Sequence, residues 1–217
     1  MKCIYCSEHC YKRGQRKEIQ RYQCKKCGKY QQATYTKQRI PQEKYDWVVK
    51  LNNEGCGISS IGRLLRIAKS SVQRLIERIA ATIKKPLHYE INQCYEMDEL
   101  YTYCHHKANE CWIIYAINRT TGAVVDFCVG RRTKENVRMV VDSVLILSPK
   151  RIYTDKLNIY PPLIPKPLHK IFKYCTNKIE RHNLTLRTRL KRLSRKTLCF
   201  SKSEVMLENC VKIYWRR

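Results

Sequence analysis

The sequence predicts an α/β domain preceded by two small basic modules. Three observations carry this expectation. Two Cys-x2-Cys pairs, Cys3/Cys6 and Cys24/Cys27, stand near the N-terminus. Two short stretches of helical periodicity follow, Ile58–Leu65 and Ser70–Ala80, separated by Arg66-Ile-Ala-Lys69. From Cys94 onward, three strand-like runs give way to an amphipathic stretch and then to a run that ends on an acid, Asp155. The boundaries this draws are 1–40, 41–88 and 89–217.

Composition points to the partner. The 217 residues include 44 Lys or Arg and 18 Asp or Glu, for a formal charge of +26. Residues 1–90 hold 20 basic and 7 acidic residues, and residues 91–217 hold 24 and 11, so each part carries +13. A chain this basic repels itself unless a polyanion neutralises it. Double-stranded DNA is the expected partner, because each phosphate contact releases counterions and adds affinity. A membrane surface is the rival polyanion, but no apolar stretch reaches ~18 residues. Nor does a secretory signal open the chain. Of the 13 cysteines only the first five cluster, and the others are scattered in the manner of reduced core thiols. A cytoplasmic protein without a membrane partner is expected.

In residues 1–40, Cys3, Cys6, Cys24 and Cys27 can present four thiolates tetrahedrally to one structural Zn2+. A segment of this length with so little apolar content needs such a ligand to fold. Cys10 and His9 are spare ligand types, and either can displace Cys6. The basic, Gln- and Tyr-rich segment between the pairs suits a ribbon that contacts phosphates.

Residues 41–88 read as a helix-turn-helix. Pro41 opens a helical pattern that ends at Asn52–Gly55. In the next two helices Ile61, Leu64, Ile67, Val72, Leu75, Ile76 and Ile79 pack against one another. Ser70 or Ser71 is placed to cap the last helix, which leaves Ser71, Gln73, Arg74 and Arg78 directed toward a DNA major groove. Lys84-Lys85-Pro86 then breaks the pattern.

Residues 89–217 carry the chemistry. Strands are predicted over Cys94–Tyr103, Trp112–Asn118 and Ala123–Val129, with a hairpin turn at Arg119–Gly122. Thr133 opens a helix through Val137, Val140, Val141, Val144 and Leu147. Arg151–Asp155 is a fourth strand, Ile171–Cys175 a fifth, and Asn177–Leu193 a final helix. Three antiparallel strands, a helix and a strand entering parallel pairing is the order of a ribonuclease-H-like domain. That layout gathers Asp98, Asp155 and Glu180 at one edge of the sheet. Three carboxylates held together repel unless cations lie between them, and hard oxygen donors suit two Mg2+ or Mn2+ ions. Two such ions can clamp an in-line phosphodiester displacement. Alternation puts Glu99 on the opposite face from Asp98, as a surface or supporting group. Glu96 shares the Asp98 face and is the substitute if the register is off by two. Asp126 and Asp142 are expected in solvent.

The motifs then become specific. Asp98-Glu-Leu-Tyr101, Trp112-Ile-Ile-Tyr-Ala-Ile-Asn-Arg-Thr-Thr-Gly122, Tyr153-Thr-Asp155, Ile179-Glu-Arg-His-Asn-Leu184 and Lys191–Lys202, taken in order, resemble the insertion-sequence-one (IS1) family of bacterial DDE transposases. The Cys pairs and helix-turn-helix resemble that family's DNA-binding half, so the likeness spans nearly the whole chain as a fused form. It implies that Asp98, Asp155 and Glu180 are the metal-binding triad, that Arg187 holds a DNA phosphate, and that His182 and Asn183 support the site. It implies further that the chain binds the terminal inverted repeats of its element, cleaves their 3′ ends, and joins them to target DNA. Two ends handled together call for a homodimer or higher oligomer on DNA, in the bacterial cytoplasm at the nucleoid. The alternative is a catalytically inactive zinc/helix-turn-helix regulator. A structure-selective nuclease would cut without joining.

Overall fold

Turns, more than apolar pattern, shape the N-terminal stretch. Strand β1 (Cys10–Arg16) folds back on β2 (Ile19–Cys24) through Lys17 and Glu18, whose φ angles are 50° and 63°. Positive φ at both central residues is what a two-residue hairpin needs to match the strand twist. β3 (Tyr30–Gln32) completes an antiparallel sheet in the order β1-β2-β3. Among the described residues its apolar core is Cys3, Cys10 and Cys24, with Tyr22 against them. The computed structural model describes residues 1–34, 40–172 and 175–216, and its contacts divide it into two units, Met1–Pro41 and Gln42–Arg217.

The second unit opens with three helices, α1 (Gln42–Asn53), α2 (Ile58–Leu65) and α3 (Lys69–Ala81). Ile61, Val72, Leu75, Ile76 and Ile79 are buried as their spacing predicts, whereas Leu64 is exposed. The serine cap expected for α3 does not form. Arg66 ends α2 in the left-handed conformation, so α3 begins earlier, with Ala68 at its N-cap and no side-chain cap bond. Ser70 and Ser71 therefore sit in its first turn.

Next come β4 (Cys94–Tyr103), β5 (Glu110–Asn118) and β6 (Val124–Gly130), all antiparallel. α4 (Lys134–Leu145) follows, its N-terminus capped by Thr133, whose Oγ1 accepts the Asn136 N–H at 3.3 Å. β7 (Arg151–Tyr153) and β8 (His169–Lys170) join in parallel, giving a mixed sheet in the order β6-β5-β4-β7-β8. The fifth strand thus lies before the predicted Ile171–Cys175. Ile171 and Phe172 are not strand, and Lys173 and Tyr174 lie outside the described residues. α5 (Asn177–Arg189) ends before a 3-10 turn at Lys191–Leu193, and α6 (Glu204–Trp215) closes the chain.

Period-two alternation sorts the sheet into two cores. Tyr95, Met97, Ile114, Ala116 and Ile152 pack under Val137, Val140, Val141 and Val144 of α4, with Tyr160 and Ile164. Leu100, Ile113, Tyr115, Ile117 and Phe127 pack under α5 and α6, through Ile179, Leu186, Leu207, Val211 and Trp215. α6 also packs against α1 and α3, and Asn52 Nδ2 donates to the Cys210 carbonyl at 3.0 Å. The second boundary expected near residue 88 is therefore not a break in packing: α6 returns to cover the apolar faces of the first helices. No helix among the described residues is long and apolar enough to cross a membrane.

Candidate active site

The site is set by where β7 stops. Its parallel pairing with β4 runs from Cys94↔Arg151 to Glu96↔Tyr153. Two residues further in the same register, Asp98 lies beside Asp155, but β7 has ended and among the described residues no strand pairs with that edge of β4. Asp98 Oδ1 accepts the Glu99 N–H at 2.8 Å, and Asp155 Oδ1 accepts the Leu157 N–H at 3.0 Å. Asn183, on α5, donates from Nδ2 to Asp98 Oδ2 at 2.6 Å. Its Oδ1 accepts the buried Tyr115 hydroxyl at 2.7 Å, which fixes the orientation of the amide.

Glu99 comes closer to the other acids than alternation alone predicts. It does leave β4 toward the opposite face, where the Tyr160 hydroxyl donates to its Oε1. At an unflanked strand edge, however, side chains from both faces can reach round to one point. One oxygen each of Asp98, Glu99 and Asp155 lie within 4.8 Å of one another. Burial pushes the Asp98 carboxyl up to about 6, with the charges of Asp155 and Glu180 adding to it and the Glu99 amide and Asn183 opposing. Burial likewise pushes Glu99 up to about 7, with Asp98 and Asp155 adding and Tyr160 and Arg132 opposing. A crowded set of hard oxygens whose negative charge is disfavoured fits Mg2+ or Mn2+.

Glu180 stands apart from that trio. It is exposed in the first turn of α5, and its Oε1 accepts the Thr176 hydroxyl at 2.9 Å. With Asn183, Leu184, Arg187, Thr188, Ser194 and Arg195 it lines a cleft of about 440 Å³. The Arg187 guanidinium spends two donors on carbonyls, Leu193 O and Tyr101 O, both at 3.0 Å. It thereby ties the turn after α5 to β4. His182 is half-buried and stacks on Trp215 at 6.3 Å between ring centroids, and burial lowers its pKa. Its Nδ1 is buried without a hydrogen-bond partner among the described residues, and the ring packs beside Tyr115. Glu96, the substitute in the register argument, is wholly buried and turned inward to the N-terminus of α5.

On α3, Arg74 and Arg78 are exposed while Ser71 and Gln73 are half-buried. Arg78 Nη1 donates to the Tyr45 hydroxyl at 3.4 Å. In the first unit the sulfurs of Cys3, Cys6, Cys24 and Cys27 lie within 4.8 Å of one another, with Cys3–Cys27 at 3.6 Å and Cys6–Cys24 at 3.4 Å. Tetrahedral zinc with Zn–S of ~2.3 Å sets its sulfurs ~3.8 Å apart, so the donor set fits. The Cys27 amide pulls the Cys24 thiol down to about 6, with the Lys26 amide helping and burial opposing. Cys10 is buried beside the cluster, its thiol donating to the Glu8 carbonyl at 3.9 Å.

Residues 91–216, from just before β4 to the end of α6, match the IS1 transposase family. The chain belongs to that family. The insertion element iso-IS1n protein InsB of Shigella dysenteriae is 39% identical over 116 residues, 54% of this chain and 88% of that one. The insertion element IS1 protein InsB of Shigella flexneri is 36% identical over 121 residues, 56% of this chain and 92% of that one. Among solved structures, a chain of the simian T-cell lymphotropic virus intasome in complex with PP2A regulatory subunit B56 gamma is similar at a TM-score of 0.40 and 15% identity, over 75% of this chain and 66% of that one. In this IS1 transposase the carboxylate cluster lies inside the matched region. The Cys unit and α1–α3 precede it.

Proposed function

We propose that this transposase cleaves the 3′ ends of an insertion element and joins them to target DNA at the Asp98–Glu99–Asp155 cluster, in a ribonuclease-H-like domain. The meeting of those oxygens within 4.8 Å at an open sheet edge supports this reading most directly. The strand order, three antiparallel strands flanked by two parallel ones, agrees with that fold. Two bound Mg2+ or Mn2+ ions would neutralise the attacked phosphodiester and make water, and later a 3′-hydroxyl, a better nucleophile.

The side chains supply placement. Asn183 holds Asp98, the Leu157 amide holds Asp155, and Tyr160 holds Glu99. Glu180 lies outside the 4.8 Å cluster, but its charge acts on Asp98, and it is the acid that α5 would add to the set. Arg187 keeps three of its five N–H donors for a phosphate after serving two carbonyls. Beyond it, Arg192, Arg195 and Lys196 line a second cleft of about 380 Å³ with Tyr101 and Tyr103, a floor for the phosphates of the leaving strand. No side chain acts as nucleophile, so the rate comes from positioning and charge. Cys3, Cys6, Cys24 and Cys27 hold one structural Zn2+. α3 presents Ser71, Gln73, Arg74 and Arg78 to the terminal inverted repeats. Two ends are handled by a dimer or larger assembly, in the cytoplasm at the nucleoid.

The test is cleavage of end-bearing DNA in Mg2+. Asp155→Asn lowers cutting on the order of a thousandfold or more while end binding is kept. Undiminished cutting by that variant overturns the site assignment. A parent chain that binds ends but never cuts them identifies a regulator instead.

A further inference from the structure

Below the carboxylates lies a second polar cluster. Glu96 is 0% exposed, and its Oε2 accepts the Ile179 N–H at 2.9 Å, in the first turn of α5. Its Oε1 faces Arg119 Nε at 3.1 Å as an ion pair without hydrogen-bond geometry. Arg119, just past the end of β5, lays its guanidinium over the Tyr153 ring at 4.0 Å. The Arg119 carbonyl accepts Lys178 Nζ at 2.6 Å, and its N–H donates to Cys94 O at 2.8 Å.

The chain positions of these partners are what make the cluster informative. Glu96 is two residues before Asp98 on the same face of β4, about 6.6 Å along the strand. Tyr153 is two residues before Asp155. Ile179 immediately precedes Glu180. One carboxylate and one guanidinium thus touch all three elements that carry the acids, a single step below each acid. A pair buried at Glu96 and 31% exposed at Arg119 adds little net stability compared with apolar side chains of the same size, although removing Arg119 alone leaves the Glu96 charge buried and uncompensated. What it does supply is a fixed geometry: a planar fork stacked on one ring and aimed at one carboxylate.

We infer that Glu96 and Arg119 are positioning residues that set the spacing of Asp98, Asp155 and Glu180. The inference rests on the proposed chemistry of those acids. Glu96→Gln keeps an acceptor for the Ile179 N–H and removes a buried charge. Arg119→Lys keeps the charge and loses the planar stack, and Arg119→Met loses both.

The three variants and the parent, all zinc-loaded, are compared by thermal melting, binding to end DNA, calorimetric Mn2+ titration and the Mn2+ dependence of cutting. Glu96→Gln melts within a few degrees of the parent and binds ends equally. Its half-saturating Mn2+ concentration rises roughly ten- to a hundredfold, the range seen when groups behind metal ligands are removed. Saturating Mn2+ restores most of its cutting rate. Arg119→Lys falls between the parent and Arg119→Met. Folded variants with the parent's Mn2+ requirement overturn the inference, and so does a collapse of melting in all three, which would make the pair a fold contact alone. A parent that takes up no Mn2+ sinks the proposed chemistry and this inference together. A parent that does, beside variants that match it, sinks only this inference.

Discussion

Met1–Pro41 and Gln42–Arg217 place their chemically active groups in opposite ways. In the first unit the thiols of Cys3 and Cys24 are the buried centre, with Cys10 and Tyr22 packed beside them among the described residues. In the second, two apolar cores hold the sheet, and the carboxylates of Asp98, Glu99 and Asp155 are pushed to its open edge. Where ligands are the core, removing one removes the fold. Where they sit at an edge, removing one leaves the fold and relieves repulsion.

The largest effect that sharpens this contrast is loss of a thiol. On the proposed zinc site, Cys24→Ser is expected to unfold Met1–Pro41, because a domain this small gains its stability from a bound metal. All three tryptophans, Trp47, Trp112 and Trp215, belong to the second unit. Their fluorescence melt therefore stays where it was, while amide exchange across Cys10–Cys24 rises to that of an unfolded chain. A tryptophan melt that falls in step would break the contrast.

A smaller effect probes how the second unit is held. Gly55 has φ +75°, and a Cβ added there would lie 2.1 Å from the Arg189 carbonyl at the end of α5. Gly55→Ala combines left-handed strain with a backbone clash and costs about 2–4 kcal/mol, or about 4–16 °C of melting temperature. A Cβ at Gly57 meets nothing within 4 Å among the described residues, so Gly57→Ala, at the N-cap of α2, is the control that costs at most about 1 kcal/mol. Equal melts for the two would mean that the turn after α1 is not seated on α5.

Much of this architecture was legible in the sequence, for identifiable reasons. β4 falls on Cys94–Tyr103 as predicted because both its faces are buried and the alternation is long. Asp98 and Asp155 follow from the order of strands. Glu99 was not legible as a member of the cluster, because alternation assigns a face and cannot show that the neighbouring strand stops at Tyr153. α6 carries no chemical motif, although Ser203 caps it and Met206, Leu207, Cys210, Val211 and Tyr214 have helical spacing. The motif flags His182 and Arg187 as polar residues near an acid. Only packing shows that one is stacked on Trp215 and the other bound to carbonyls.

The finest test of the contrast is electrostatic. In the folded, Mg2+-free protein Asp98 is raised from 3.8 to about 6 and Glu99 from 4.5 to about 7. A carboxyl whose folded pKa is raised holds its proton more tightly when folded, so its stabilisation is complete below the unfolded pKa. That stabilisation is lost as pH rises through the folded value. Above about pH 7 both groups are charged at the edge and oppose folding. Asp98→Asn and Glu99→Gln, which carry no such charge, should melt above the parent at pH 8 by roughly 1–2 kcal/mol each after allowance for solvent screening, or about 2–8 °C. The gap closes by about pH 4, where the parent's carboxyls are protonated as well. Adding Mg2+ at pH 8 reverses the order, because only the parent retains the full set of ligands. Variants that melt below the parent at pH 8 without Mg2+ would show these carboxylates to be part of what holds the second unit together, as the thiols are in the first.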